Sequence, residues 1–396
     1  MRGRVGLVVL ALLATAFGAC SSSGGDTRTV EVDGASDEFA GSFWQFFPRD
    51  VTVRPGMTVK FHQTWTGAAH TVTMGSAVQD LVPPRLLSAI KTTPEREFTS
   101  EHPSDDVLGA LDAFMGGLPF FYGENGPSPS AAQPCFLRSG LPTEGKACAR
   151  REQPAFDGKF SYYNSGFIPY LGSRGNAYEI KIAEDTAPGS YFYYCNLHGA
   201  QMSGEIHVTR SDKIPSQAEV NRQGKATRDK IERHRAAELR ADRAGKGEFK
   251  GNLAGSGPSE YDGYLAEVDE FTPRTVTARV GEPVTWTFVG NHTISFNVPP
   301  YFPLLHIARS GRVVENARAF TTAGGWPGRP EPVNFDGPPG PSVSVDAGRW
   351  AGGRGLKSSG EGWQAGDKYT VTFTKAGTYP MACLIHPGMI GKVVVS

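Results

Sequence analysis

Short runs of alternating apolar and polar residues, broken at glycine and proline, dominate the chain and predict strands and turns rather than a helical bundle. Asp50-Val51-Thr52-Val53-Arg54-Pro55-Gly56-Met57-Thr58-Val59-Lys60-Phe61 reads as strand, turn, strand. The same pattern returns in Thr275-Val276-Thr277-Ala278-Arg279-Val280-Gly281-Glu282-Pro283-Val284-Thr285-Trp286, and the match extends back to Pro48-Arg49 and Pro273-Arg274. The chain therefore carries an internal repeat. Each copy goes on to a histidine among small and β-branched residues, Ala69-His70-Thr71-Val72 and Asn291-His292-Thr293-Ile294. Each then reaches Gly-x-Tyr ahead of a cysteine, Gly189-Ser190-Tyr191 before Cys195 and Gly377-Thr378-Tyr379 before Cys383. A closing strand follows in both, Gly204-Glu205-Ile206-His207-Val208 and Gly391-Lys392-Val393-Val394-Val395.

Between the copies the pattern changes. From Thr209 to Lys250 basic residues outnumber acidic ones and apolar residues are few, chiefly Val220, Ile231 and Leu239. This predicts an exposed, charge-laced helix over Ser216–Arg243, interrupted at Gly224, acting as a solvated connector rather than a basic partner-binding surface. The separation of His70 from Cys195, and of His292 from Cys383, predicts insertions in both copies. The first would hold Val82–Leu87, a short helix over Asp105–Met115 and the Cys135/Cys148 loop; the second is rich in Gly and Pro from Gly324 to Gly340. The expected boundaries are a signal peptide over 1–20, a flexible tether over 21–30, and a first domain over 31–210 with its insertion at about 75–160. The linker is expected over 211–258 and the second domain over 259–396.

A length of 396 residues exceeds one ordinary core, and 49 glycines with 29 prolines agree with many turns. With 40 basic and 40 acidic residues the formal charge is zero, which argues against a nucleic-acid partner. Arg2 and Arg4 precede an apolar run from Val5 to Leu13, the pattern of an export signal too short to span a membrane. Phe17-Gly18-Ala19-Cys20 resembles a bacterial lipoprotein cleavage site, with Phe17 where that family usually has Leu. The resemblance implies lipidation of Cys20 and tethering to the outer face of the cell membrane. The alternative is cleavage near Ala14-Thr15-Ala16 and a secreted protein. Export also places Cys135 and Cys148 where disulfides persist, and a bridge between them is expected.

The cysteines of the repeat carry the chemistry. Cys383-Leu384-Ile385-His386-Pro387-Gly388-Met389 supplies a thiol, an imidazole and a thioether, and Cys195-Asn196-Leu197-His198-Gly199-Ala200-Gln201-Met202 repeats them with one extra residue before the methionine. Two imidazoles and a thiolate with a distant methionine sulfur suit copper cycling between Cu(II) and Cu(I). Zinc is the rival, but its structural sites take four strong ligands and methionine is a poor one.

With these motifs each half resembles a cupredoxin, the blue-copper family of the plastocyanin and amicyanin type. The resemblance implies an all-β chain of two Greek-key β-sandwiches with insertions, joined by the charged helical linker, with one type 1 copper in each. The implied ligands are His70, Cys195, His198 and Met202 in the first copy and His292, Cys383, His386 and Met389 in the second. Thr71 and Thr293, next to the first histidines, would lie near the thiolates, where family members often have Asn. His198 and His386 would be the electron ports near the surface, with Gly199-Ala200 and Pro387-Gly388 leaving a small apolar face for docking. The implied function is electron transfer to an unidentified redox protein, not catalysis. A copper-delivery protein is the alternative. A multicopper oxidoreductase fits less well, because the chain contains no His-x-His pair and neither cysteine adjoins a histidine.

Overall fold

The computed structural model describes residues 27–63, 68, 70–81, 122–123, 126–127, 133–143, 148–168, 176–247, 249–255, 258–261, 264–290, 292–298, 305–307, 313–315, 341–360, 363–386 and 388–396. The export signal, Cys20, Val82–Leu87, the helix expected over Asp105–Met115 and the Gly324–Gly340 stretch lie outside the described residues. None of the described helices is long and apolar enough to cross a membrane.

Among the described residues the fold is all-β with one long helix, Gln217–Arg243. In the N-terminal half a four-stranded sheet has the order Asn176–Lys181, Thr58–Gln63, Thr27–Val32, Phe46–Phe47. A six-stranded sheet has the order Asp50–Val53, Gly199–Val208, Gly189–Cys195, Thr73–Met74, Tyr162–Asn164, Cys135–Leu137. The C-terminal half repeats the plan. One sheet runs Phe271–Thr272, Asn252–Ala254, Pro283–Phe288, Lys368–Phe373, Ser344–Trp350. The other runs Thr275–Ala278, Ile390–Val395, Gly377–Ala382, Ser295–Phe296, Lys357–Ser358.

The repeat read from the sequence is a repeat of pairing. Asp50–Val53 lies parallel to the closing strand of its half, and Thr275–Ala278 does the same in the other. Alternate residues of these strands turn inward, so Val30, Val59, Phe61 and Ile180 of one sheet meet Val51, Met74, Tyr193 and Ile206 of the facing one. In the second half Trp286, Val371 and Phe373 meet Val276, Phe296, Met381 and Val393. Full burial of side chains of this size contributes about 1.5–3 kcal/mol each. Cys135 and Cys148 form a disulfide across the edge of the six-stranded sheet, and closing so short a loop contributes about 3 kcal/mol.

Two segments fall outside the boundaries drawn from the sequence. Thr27–Val32 begins in the expected tether and Asn252–Ala254 lies in the expected linker, yet each is a strand inside a four- or five-stranded sheet. Each pairs parallel with an interior strand, Thr58–Gln63 or Pro283–Phe288. Both segments are short and sit next to glycine-rich or charged sequence, which masks their alternation.

The helix Gln217–Arg243 is continuous through Gly224. It starts at Ser216, whose side chain accepts a hydrogen bond from the Glu219 N–H, and Arg240 and Arg243 stand in its last turn, favourable to the helix dipole. It is not the fully solvated connector its composition suggests. Val220, Ile231, Ala236 and Leu239 are buried, the last three against Phe39, Phe43, Phe47, Ala266 and Val268. Those partners come from both halves. The halves also share a sheet, because Gly41–Phe43 pairs antiparallel with Tyr264–Val268.

Candidate metal centres

In the first half, His70 follows the strand Thr58–Gln63, while Cys195 ends the strand Gly189–Cys195 and His198 sits in the turn after it. The two strands belong to facing sheets, so the three side chains converge at one end of the sandwich. His70 Nδ1 lies 3.1 Å from His198 Nδ1, and Cys195 Sγ lies 3.6 Å from the same nitrogen. The second half repeats this with His292 Nδ1 3.1 Å from His386 Nδ1 and Cys383 Sγ 3.9 Å from it. A metal ion binds imidazole nitrogen at about 2.0–2.1 Å and thiolate sulfur at about 2.3 Å, which puts donors on a common ion roughly 3–4 Å apart. Both trios fit that requirement. All six residues are between 0 and 7% exposed.

Met202 and Met389 are fully buried in the same core clusters as Cys195 and Cys383, respectively. The second loop is closed by its own backbone: Cys383 N–H donates to the Met389 carbonyl at 2.9 Å and Met389 N–H to the His386 carbonyl at 3.0 Å.

The threonines after the first histidines act identically in both halves. The N–H of Thr71 donates to Cys195 Sγ at 3.3 Å, as that of Thr293 does to Cys383 Sγ. Their Oγ1 atoms accept from the backbone N–H groups of Asn196 and Leu384, each at 2.8 Å. One residue thus supports the sulfur and ties the two ligand-bearing segments together.

His198 and His386, expected near the surface, are both nearly buried, and their covers differ. The Trp44 ring stacks on His198 with centroids 4.5 Å apart. Beside His386 stands Asp269, its Oδ1 3.5 Å from Nδ1. These two covers occupy the same place in the repeat, since Ser42-Phe43-Trp44-Gln45-Phe46-Phe47-Pro48-Arg49 aligns with Glu267-Val268-Asp269-Glu270-Phe271-Thr272-Pro273-Arg274.

The outer nitrogens of the first histidines also differ. His70 Nε2 donates to Asp33 Oδ2 at 3.0 Å, and Asp33 Oδ1 accepts from the N–H groups of Gly34 and Phe43, each at 2.6 Å. Asp33 adopts φ 63°, a left-handed conformation that aspartate tolerates better than most residues. Its counterpart after the strand Asn252–Ala254 is Gly255, and a Cβ there would fall 2.1 Å from His292 Nε2. No side chain fits that position. A carboxylate arrives from another strand instead, with Glu267 Oε1 3.5 Å from His292 Nε2.

These differences set the protonation of the two sites apart. Burial would raise the Cys195 thiol, but His198 and His70 outweigh it and hold the group well below its ordinary value. Burial would lower His70, but Asp33 and then Cys195 raise it to about 9. In the second half burial prevails, lifting Cys383 to about 11 and lowering His292 to about 3. Burial also pushes Glu267 and Asp269 upward, with Glu267 and Asp33 adding to the effect on Asp269 and Arg235 opposing it on both.

Asp33, Trp44, Glu267 and Asp269 are absent from the ligand sets read off the sequence. The signal for three of them is the repeat itself, extended upstream of Pro48 and Pro273 to the mismatched pairs Ser42/Glu267 and Trp44/Asp269. Asp33 carries no such mark.

No family model matches the chain, and neither does any curated protein sequence. Solved structures of amicyanin are similar to part of it. An oxidized mutant aligns at 19% identity with a TM-score of 0.18, and a reduced Cu(I) mutant at pH 4 at 20% and 0.18. A second oxidized mutant aligns at 21% and 0.17. Each alignment spans 32% of this chain and 73% of the amicyanin.

Proposed function

We propose that this chain is an electron carrier built from two cupredoxin-like domains, each holding one copper ion. The observation that carries the reading is the twofold occurrence of one construction. Two imidazole Nδ1 atoms and a cysteine sulfur converge in a buried pocket, with a backbone N–H on the sulfur and a methionine buried in the same core.

The ligands proposed are His70, Cys195, His198 and Met202, and His292, Cys383, His386 and Met389. Copper bound there supplies a one-electron couple between Cu(II) and Cu(I). The chain's part is to hold donors suited to both states in one arrangement, so that little moves when the electron arrives. Thr71 and Thr293 fix the sulfur and the adjoining loop, and Trp44 keeps water from His198. Burial of every proposed ligand favours retention of the metal over hand-off to another protein. Export, a lipid anchor at Cys20 and an extracytoplasmic redox partner complete the proposal.

The test is copper content together with the visible spectrum, for the unaltered chain and for Cys195→Ser and Cys383→Ser. Two coppers per chain are expected, with roughly half of the sulfur-to-copper absorption lost in each variant. A colourless, fully loaded chain would refute the reading.

A further inference from the structure

Asp269 is the feature of the second centre that an electron carrier does not require. The residue is 1% exposed, and neither carboxylate oxygen has a hydrogen-bond partner among the described residues. A buried polar group left in that state is costly, and a buried carboxylate far more so unless a cation meets it. Its Oδ1 stands 3.5 Å from His386 Nδ1, the nitrogen that also faces His292. Donor atoms of Glu267, Asp269 and His386 all lie within 4.8 Å of one another, and His386 belongs equally to the trio with His292 and Cys383.

Glu267 does not compete for the same role. Its Oε1 stands 3.5 Å from His292 Nε2, the outer nitrogen, on the side where Asp33 bonds His70, but makes no hydrogen bond to it. Asp269 is the carboxylate that pairs with the inner nitrogen, His386 Nδ1. The first centre has nothing comparable, since Trp44 occupies the equivalent position and lies flat on His198.

We infer that Asp269 is an oxygen ligand to the metal of the second centre, so that the two centres of one chain are chemically unlike. This rests on the reading of both pockets as copper centres. Carboxylate oxygen is a hard donor that would favour Cu(II) over Cu(I) beside the His292, His386 and Cys383 donors. The first centre is then the more blue and the more easily reduced. The second has a stronger high-energy sulfur-to-copper band, a wider copper hyperfine splitting and a lower potential.

The experiment uses the full chain carrying Cys195→Ala, in which sulfur-to-copper absorption reports the second centre alone. Asp269→Asn is added to it. The expected result is a loss of relative intensity in the high-energy band and a rise in the reduction potential of that centre. In the unaltered chain the two reduction waves should move together on Asp269→Asn. An unchanged band ratio and potential would overturn the inference while leaving the copper reading intact. Absence of any sulfur-to-copper absorption in Cys195→Ala would instead sink the copper reading for this half. Should Asp269→Asn fail to fold, X-ray absorption on the copper-loaded Cys195→Ala and Cys383→Ala chains still decides. An added light-atom donor on the coppers of Cys195→Ala, relative to the two nitrogens and one sulfur of a blue centre, supports the assignment, and its absence refutes it.

Discussion

Asp33 shows how a single residue sets the character of a site without touching a metal. Its carboxylate is fixed by two backbone N–H groups and in turn fixes the His70 ring, so that Nδ1 faces His198. Asp33→Asn keeps the volume but offers an uncharged oxygen, or an amide nitrogen that cannot accept from Nε2–H. Losing such an outer partner costs about 10–100-fold in metal affinity. We expect that loss at the first centre, measured by chelator competition on the Cys383→Ala chain, and a much smaller change on the Cys195→Ala chain, where the Asp33 charge is felt only through Asp269. Equal weakening of both centres would show that Asp33 acts on the fold rather than on His70. Residues of this kind also mark the limit of reading from sequence. His198 and His386 were legible because a turn holds them three residues from their cysteines, and His70 and His292 because the repeat places them in register. Glu267 and Asp269 show only as mismatches in the repeat, and Asp33, which approaches from a strand end remote in sequence, is announced by no spacing at all.

The helix Gln217–Arg243 shows the same limit at the level of an element. Its bounds were legible, because the shift in composition that marks them is local. Its burial was not, because the apolar residues are few and widely spaced among charges, and the buried stripe includes Gly224 and Arg235. Gly224 was expected to interrupt the helix and instead lets it approach the backbone of the first half. A Cβ there would sit 2.8 Å from the Phe47 carbonyl carbon and 2.9 Å from its oxygen, and backbone cannot swing aside as a side chain can. Gly224→Ala therefore sets two effects against each other. Alanine favours the helix by about 1 kcal/mol, while overpacking a closed contact costs about 1–3 kcal/mol. The contact should win, and urea unfolding should show a net loss of stability of up to about 2 kcal/mol. A stabilised variant would mean that the helix stands off from Phe47.

Across the whole molecule, the strand that brings Glu267 and Asp269 to the second centre takes its pairing partner, Gly41–Phe43, from the first half. The surroundings of one centre thus depend on the other half of the chain, and Glu270 holds that junction. Its carboxylate accepts from the Ala40 N–H at 3.1 Å, from the Arg243 guanidinium at 2.6 Å and from Arg274. Burial would raise this carboxyl, but Arg274, then Arg243 and the Ala40 N–H, hold it below its ordinary value. A group depressed on folding stabilises the native state above its unfolded pKa, about 4.3 for glutamate, and loses that contribution as pH falls through the folded value. Glu270 is buried but Arg243 and Arg274 are about half exposed, so losing the carboxylate costs less than the about 3–5 kcal/mol of a fully buried pair, and Glu270→Ala should unfold before the unaltered chain at pH 7. Against Glu270→Gln, which keeps the shape without the charge, the stability advantage of the unaltered chain should be constant from pH 7 to 5 and shrink below about 4. An advantage that persists undiminished at pH 3 would show that the Glu270 charge does not join the halves.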